Sequence, residues 1–366
     1  MKLREPVSWL IGTLQRNLIP RLEECCERPL TWKERQLVSI LELVQIEQFV
    51  VRPFRRFGRK PRERRALARA FVGKAVYNHP TTCATIEALK ASPIFRRLCG
   101  FVGRGDVPSE STFSRAFAEF AEMGLGEKVH QALVEHWLKP ELVGHISRDA
   151  TAIAGREKPT ARPKPPKPAP RKKGRPRRGE IRGPKPETRL ERQSRQSAVE
   201  ALAELPVNCE VGAKKNSKGY KQTWVGYKLH VDVNDCCLPI SAALTAASLH
   251  ESQVAIPLMK MTSERVDYLY DLMDSAYDAQ PIYEASRSLG HVPIIERNGR
   301  RKAVIPLAPH EARRYRERTV AERCNSRLKE EFGAQNIMVR GAAKVGLHLM
   351  IGLIALFADQ LLKLMS

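Results

Sequence analysis

The stretch from 155 to 200 sets the tightest limit on what this chain can fold into. It holds 16 Lys and Arg against five Glu, a net of +11, together with nine Pro. Polar sequence of this kind cannot bury enough apolar surface to offset the entropy lost on ordering. Its first part is expected to be disordered or polyproline-like, with helical periodicity returning from Thr188 to Leu205. The chain on either side reads differently. Residues 1–140 are helical in pattern. Thr31-Trp32-Lys33-Glu34 is a capping box, and Leu37, Ile40, Leu41 and Val44 follow on one helical face. Pro53 and Gly58 then break the pattern, and a further helix is expected to start at Pro108-Ser109 with Phe113, Phe117 and Phe120 on one face. After the basic stretch the period changes to that of strands. Thr223 to Val233 alternates, Asn234-Asp235 supplies a turn, and Cys236 to Leu244 returns. A helix opens near Glu251 and Ser252, and Val266–Met273 and His291–Ile295 read as two more strands.

The formal charge of +23 over 366 residues calls for a polyanionic partner. Nucleic acid fits best, because Lys and Arg release counterions from phosphates, and an anionic membrane surface is the weaker fit. From Arg52 to Arg69 nine basic residues meet one acid, with Phe54 and Phe57 interleaved, which suits a solvated face and a phosphate-contacting face equally. The N-terminus lacks the pattern of a signal peptide. Val345 to Leu362 is the most apolar segment, but His348, Asp359 and Gln360 interrupt it. A span needs about 20 uninterrupted apolar residues, so a buried core helix is expected. The eight Cys include no C-x-x-C pair and read as reduced thiols of a cytosolic protein.

Four residues near the end carry candidate chemistry. Tyr315, Arg318, Glu322 and Lys329 would fall within a stripe roughly 60° wide on an α-helix. Such a face is either a solvated charged surface or a carboxylate that holds a metal between phosphate-binding cations. Asp149 sits inside the strand-like His145–Ile153, where a carboxylate is costly unless paired or bound to metal. Asp274 ends the Val266–Met273 strand, at the carboxyl edge where open α/β sheets place their sites. Asp278 lies one turn later and suits capping or a supporting contact. His230, alone in a strand, reads as a satisfied sheet residue.

The Y-x2-R-x3-E-x6-K pattern of Tyr315, Arg318, Glu322 and Lys329 resembles the third-acid signature of bacterial insertion-sequence transposases of the DDE type. Other segments resemble the same group in chain order. Pro108, Ser111, Thr112, Phe113 and Arg115 match its P-x-x-S-T-F-x-R run, and Asp149 with Thr151 its first-acid strand. Gly226, Tyr227, Lys228, Leu229 and His230 match its G-Y-K-L-H strand. Thr245, Ala247, His250, Glu251 and Ser252 match its T-x-A-x-x-H-(D/E)-S turn, with Glu251 in place of the usual Asp. Asp274, Tyr277 and Asp278 match its D-x-x-Y-D second-acid motif. Lys172-Lys173-Gly174-Arg175-Pro176-Arg177-Arg178 resembles an AT-hook, and reads either as such a minor-groove segment or as a nonspecific DNA tether.

The resemblance spans essentially the whole chain and implies an α/β fold. An RNase H-like mixed sheet flanked by helices would occupy 141–366, preceded by an all-helical, DNA-binding domain over 1–140. The basic stretch 155–200 would be inserted between the first and second core strands. Asp149, Asp274 and Glu322 would be catalytic and would ligate Mg²⁺, with Mn²⁺ as a substitute. Tyr315, Arg318 and Lys329 would hold phosphates, and Lys173, Arg175, Arg177 and Arg178 would contact DNA. The implied partners are double-stranded DNA, as terminal inverted repeats and target, and a second copy of the chain. The implied location is cytoplasmic, at the nucleoid, with no membrane. The implied reaction cleaves element ends and joins the 3′-hydroxyl to target DNA. Two rivals share the fold: a DNA-binding derivative with a dead site, and a nuclease or resolvase that cuts without joining.

Overall fold

The computed structural model describes residues 4–50, 63–139, 141–160, 187–215, 219–299 and 306–365. Among the described residues the first part is helical, as its periodicity predicts. Its helices are α1 (Arg4–Thr13), α2 (Ile19–Cys26), α3 (Trp32–Val44), α4 (Arg64–Val76), α5 (Thr82–Ala91), α6 (Pro93–Leu98), α7 (Glu110–Glu122) and α8 (Leu125–Leu138). The capping box at the start of α3 forms as expected, with the Thr31 and Glu34 side chains exchanging hydrogen bonds with each other's backbone N–H. Leu37, Ile40, Leu41 and Val44 are all buried.

α7 begins where Ser109 ends the turn, and it turns Phe113, Phe117 and Phe120 inward. Their rings pack edge-on to Phe71 of α4, at centroid distances of 5.7, 4.8 and 6.3 Å. These aromatics are core and leave none for base contact. Part of the basic run before α7 is also internal. Arg64 pairs with Glu119 at 2.9 Å and Arg69 pairs with Glu47. Residues 52–62 of that run lie outside the described residues.

The second part is built on a six-stranded sheet: β1 (Leu142–Ala154), β2 (Glu210–Lys215), β3 (Lys221–Asn234), β4 (Pro239–Ala246), β5 (Asp267–Met273) and β6 (Val292–Ile295). β1 is central, antiparallel to β3 on one side and parallel to β5 on the other. β4 adds antiparallel to β3, and β6 adds parallel to β5. β2, which the sequence pattern did not reveal, pairs with the first half of β3. Gly226 marks the point on β3 where pairing passes from β2 to β1. Its φ is +150° and a Cβ there would lie 2.2 Å from the Ile153 carbonyl, so only glycine fits. The turn after β3 is held by Asn234, whose Oδ1 accepts from the N–H groups of Cys236 (3.1 Å) and Leu238 (2.8 Å).

Between β1 and β2 come α9 (Arg189–Arg195) and α10 (Ala198–Ala203), where the sequence regains helical periodicity. Then follow α11 (Ser252–Ser263), α12 (Gln280–Ser288), α13 (Pro309–Tyr315), α14 (Thr319–Glu330) and α15 (Ala342–Met365). α11 covers one face of the sheet, reaching Asp232 of β3 through Thr262, and α14 covers the other, reaching Asp149 of β1 through Asn325. α15 carries the apolar stretch of the sequence. It is long and apolar enough to cross a membrane, yet 78% of its most apolar window is buried inside the protein. It packs on α3, α4, α7 and α8 as well as on α14 and β4, so one continuous core joins the helical part to the sheet. All eight cysteines are free thiols.

Candidate active site

Side chains alternate across a sheet, so neighbours on β1 face opposite layers. Arg148 points toward α11 and is fully buried. It forks onto both carboxylate oxygens of Asp232 at 2.8 and 2.6 Å, with Asp271 at 3.5 Å. Thr262 of α11 donates to Asp232 (2.7 Å), while Tyr268 and Ser286 donate to Asp271 (3.1 and 2.6 Å). Buried ions survive only when satisfied in this way. This network locks β1 to β3 and β5.

Asp149 points the other way, toward α14, and its Oδ2 accepts from Asn325 Nδ2 at 3.0 Å. The β1–β5 pairing runs at a constant offset up to Ser147 opposite Leu272, and the same offset continued two residues further would set Asp149 opposite Asp274, the residue that follows β5. Asp274 caps the short 3₁₀ turn Ser275–Tyr277, its Oδ1 accepting from the Ala276 N–H at 2.9 Å. Asp278 does something else. It accepts from the Asn298 N–H (2.9 Å) and Tyr283 (3.1 Å) and pairs with Arg297 (3.2 Å), which pins the loop after β6. That is a supporting contact, as its spacing suggested.

A further acid belongs to the same neighbourhood. Burial pushes the Asp149 carboxyl up to about 6; the carboxylates of Glu251 and Asp274 add to the rise, and Arg318 opposes it. Glu251 is itself raised, by burial and by Asp274, against Lys228 at 3.5 Å and Lys214. Tyr277 lies buried in the field of Glu251, Asp149 and Asp274, and its hydroxyl has no hydrogen-bond partner among the described residues.

Glu322 stands on the facing element. The residues from Tyr315 to Lys329 do not form one continuous α-helix, which corrects the uniform stripe expected from spacing. A 3₁₀ turn, Arg316–Arg318, separates α13 from α14. The Thr319 hydroxyl and N–H both bond the Arg316 carbonyl, the tighter i→i−3 pattern. The Arg318 guanidinium still lies 5.8 Å from the Tyr315 ring and 2.5 Å from Glu322, which is exposed. Tyr315 donates to Glu296 at 3.2 Å, and burial raises its phenol to about 12. Burial lowers the Lys329 ammonium; nearby Lys214 lowers it further and Asp149 opposes. α14 is fixed from behind, where Arg327 pairs with Asp359 of α15 (2.6 Å) and with Glu331 (2.9 Å).

The structure thus brings Asp149, Asp274, Arg318 and Lys329 into one electrostatic neighbourhood and adds Glu251, Tyr277 and Asn325 to it. Among the described residues no three His, Cys, Asp or Glu come close enough together to enclose a metal ion, and Glu322 is turned to Arg318. Lys173, Arg175, Arg177 and Arg178 lie outside the described residues. The Asp149 carboxyl, raised by burial and by the charges of Glu251 and Asp274, is the kind of oxygen donor that a hard divalent cation takes, and bound positive charge would offset that mutual repulsion. Asn325 was legible in principle, since it lies three residues after Glu322 on the same helix.

A mixed sheet with a central strand antiparallel on one side and parallel on the other, layered by helices and carrying Asp149 on that strand and Asp274 directly after its parallel neighbour, is an RNase H-like fold. Residues 180–358 match the family model described as transposase DDE domain, and residues 25–119 match a second one, transposase domain DUF772. Between them the two matches cover most of the chain, and it belongs to the DDE transposases of insertion sequences. Asp149 lies between the two matched ranges. No curated relative and no solved structure matches the chain.

Proposed function

We propose that this DNA transposase cuts the ends of a bacterial insertion sequence and joins the freed 3′-hydroxyl to target DNA by in-line phosphoryl transfer. The observation that supports this reading is that Asp149 lies on β1 and Asp274 directly after its parallel neighbour β5, with the charge of Asp274 acting on the Asp149 carboxyl and α14, which bears Glu322 and Lys329, over the same face. Asp149 and Asp274 would hold the divalent ions, Mg²⁺ or Mn²⁺, and Glu322 would join them by giving up Arg318. When bound, the ions supply an activated water or 3′-hydroxyl and stabilise the leaving oxygen. Arg318, released from Glu322, would fork onto a backbone phosphate, and Lys329 would hold a neighbouring one as a point charge. Tyr315 would position the strand through its phenol. Asn325 orients the Asp149 carboxylate. Synapsis of two ends implies a homodimer on double-stranded DNA, acting in the cytoplasm at the nucleoid.

The test is a gel assay with Mg²⁺ and an oligonucleotide carrying the native terminal repeats. Cleavage followed by strand transfer is expected. Cleavage alone would make the protein a nuclease or resolvase, and binding without reaction would make the site dead. Asp149→Asn, Asp274→Asn and Glu322→Gln should each abolish cleavage while leaving DNA binding nearly intact. A variant that retains wild-type cleavage removes that residue from the site.

A further inference from the structure

The edge of the sheet formed by β2 carries a face that the acids do not account for. From Val225 back to Lys221, β3 has left β1 and β4 and pairs with β2 alone, as a two-stranded ribbon. Gly212 stands opposite Trp224 and Lys214 opposite Gln222, so Lys214, Gln222 and Trp224 share one face and Lys221 lies on the other. Trp224 stiffens the first face. A Cβ at Gly212 would come within 2.5 Å of its ring, so the indole lies against bare backbone, and its Nε1 donates to the Tyr227 carbonyl at 3.0 Å. The Lys228 ammonium stands 6.0 Å from the ring centroid, donates to the Leu249 carbonyl at 2.8 Å and pairs with Glu251 at 3.5 Å. At the root of the ribbon Glu210 accepts from the Ser248 hydroxyl. The ribbon is thus tied to the segment 248–251, which brings it beside the acids.

Lys214 is the informative residue. It is exposed, on the face that Trp224 holds rigid. α14 supplies a second cation to the same place. Asn325 and Lys329 lie one turn apart on α14, and Asn325 reaches Asp149 at 3.0 Å, so Lys329 is on the side of the helix turned to β1. The charges of the two lysines meet there. Burial lowers the Lys329 ammonium, Lys214 lowers it further and Asp149 opposes. Glu251, raised by burial, is drawn back by Lys228 and by Lys214. Two cations from separate elements therefore press on each other beside Asp149 and Glu251, a repulsion that a bound anion relieves.

We propose that the β2–β3 ribbon forms one wall of the DNA path, with Lys214 holding a backbone phosphate of the strand that Lys329 holds from α14. The inference rests on the DNA-cutting role proposed above and adds a phosphate-binding residue from an element outside the Tyr315–Lys329 signature. A nucleic-acid strand carries one negative charge at every phosphate, so two ammoniums on facing elements would bracket it without reading its bases. Lys221 carries the same charge on the same ribbon but faces away, which separates a placed contact from general attraction.

The test uses the full chain and an oligonucleotide carrying the native terminal repeats, with binding followed by fluorescence anisotropy in chelator over a series of salt concentrations. Lys214→Ala should keep the wild-type melting temperature, lose affinity by about threefold or more, and make the slope of log affinity against log salt shallower by roughly 0.9. Lys214→Arg should restore the slope. Lys221→Ala should leave it near the wild-type value. A methylphosphonate, which neutralises one phosphate, is then moved along the end of the oligonucleotide. It should weaken wild type at a position where it no longer weakens Lys214→Ala. The inference is overturned if Lys214→Ala leaves the slope unchanged, if Lys221→Ala flattens it as much, or if no phosphate position shows that dependence on Lys214. Chelator stops the chemistry, so these results stand whether or not wild type cleaves in Mg²⁺. A protein that gives them without cleaving would lose the proposed function and keep the ribbon contact.

Discussion

Asp149→Asn should stabilise the protein in the absence of divalent metal, and the effect should depend on pH in a defined direction. The Asp149 carboxyl is held at about 6 instead of its ordinary 3.8, by burial and by the carboxylates of Glu251 and Asp274. The unfolded chain releases this proton near 4 and the folded chain near 6, so between those values the folded state binds more protons. The stability linked to this group is therefore fully present below pH 4 and is lost as pH rises through 6. About two pKa units at about 1.4 kcal/mol each put the cost of the ionised carboxylate at up to about 3 kcal/mol at pH 8. Asparagine removes that charge. Its amide oxygen can still accept from Asn325 Nδ2, which stands 3.0 Å from Asp149. Thermal unfolding with a chelator should show the variant melting a few degrees above wild type at pH 8 and level with it near pH 4. Mg²⁺ or Mn²⁺ at 100 times its dissociation constant should then return about 2.7 kcal/mol to wild type and little to the variant. A variant that is less stable than wild type at pH 8 in chelator would refute the reading of an uncompensated anionic cluster. Equal stabilisation of both proteins by metal would refute Asp149 as a ligand.

Three further outcomes are expected. Glu251→Gln should move the fall in apo stability to lower pH, because one of the charges that raise Asp149 is gone; an unmoved curve would show that Glu251 does not couple to it. Arg148→Met should cost about 3–5 kcal/mol in urea unfolding by stranding Asp232 and Asp271 inside the fold, and a loss under 1 kcal/mol would mean that those acids are satisfied without it. Deleting residues 161–186, which carry 11 basic residues and one acid, should preserve the melting transition. It should also make the slope of log affinity against log salt shallower by roughly 0.9 for each DNA phosphate that the segment neutralises, and an unchanged slope would show that the segment does not hold DNA.

What could be read from the sequence followed from short-range physics. The helix start at Thr31, the hairpin turn at Asn234-Asp235 and the strand ending at Asp274 are each dictated by residues within a few positions of one another, and each stands where its pattern put it. The parts that were not legible depend on partners distant in the chain. Glu251 was visible as an acid at a turn, but its membership of the site arises only when β4 delivers α11 beside the ends of β1 and β5, where it meets the charge of Asp274. Arg148 looked like a neighbour of the interesting residue. The strand's alternation turns it instead into the buried counter-charge of two acids, 84 and 123 positions away. The most consequential gap is Glu322. Spacing placed it among cations, and the fold does put Arg318 against it, but that contact holds the carboxylate on the exposed side of α14. On the proposed function, a carboxylate paired with a phosphate-binding arginine would give both residues the same trigger: a DNA phosphate would draw Arg318 away and free Glu322 as the strand to be cut arrives. Under that proposal the pairing would couple assembly of the acid set to occupancy by DNA, which no one-dimensional spacing could express.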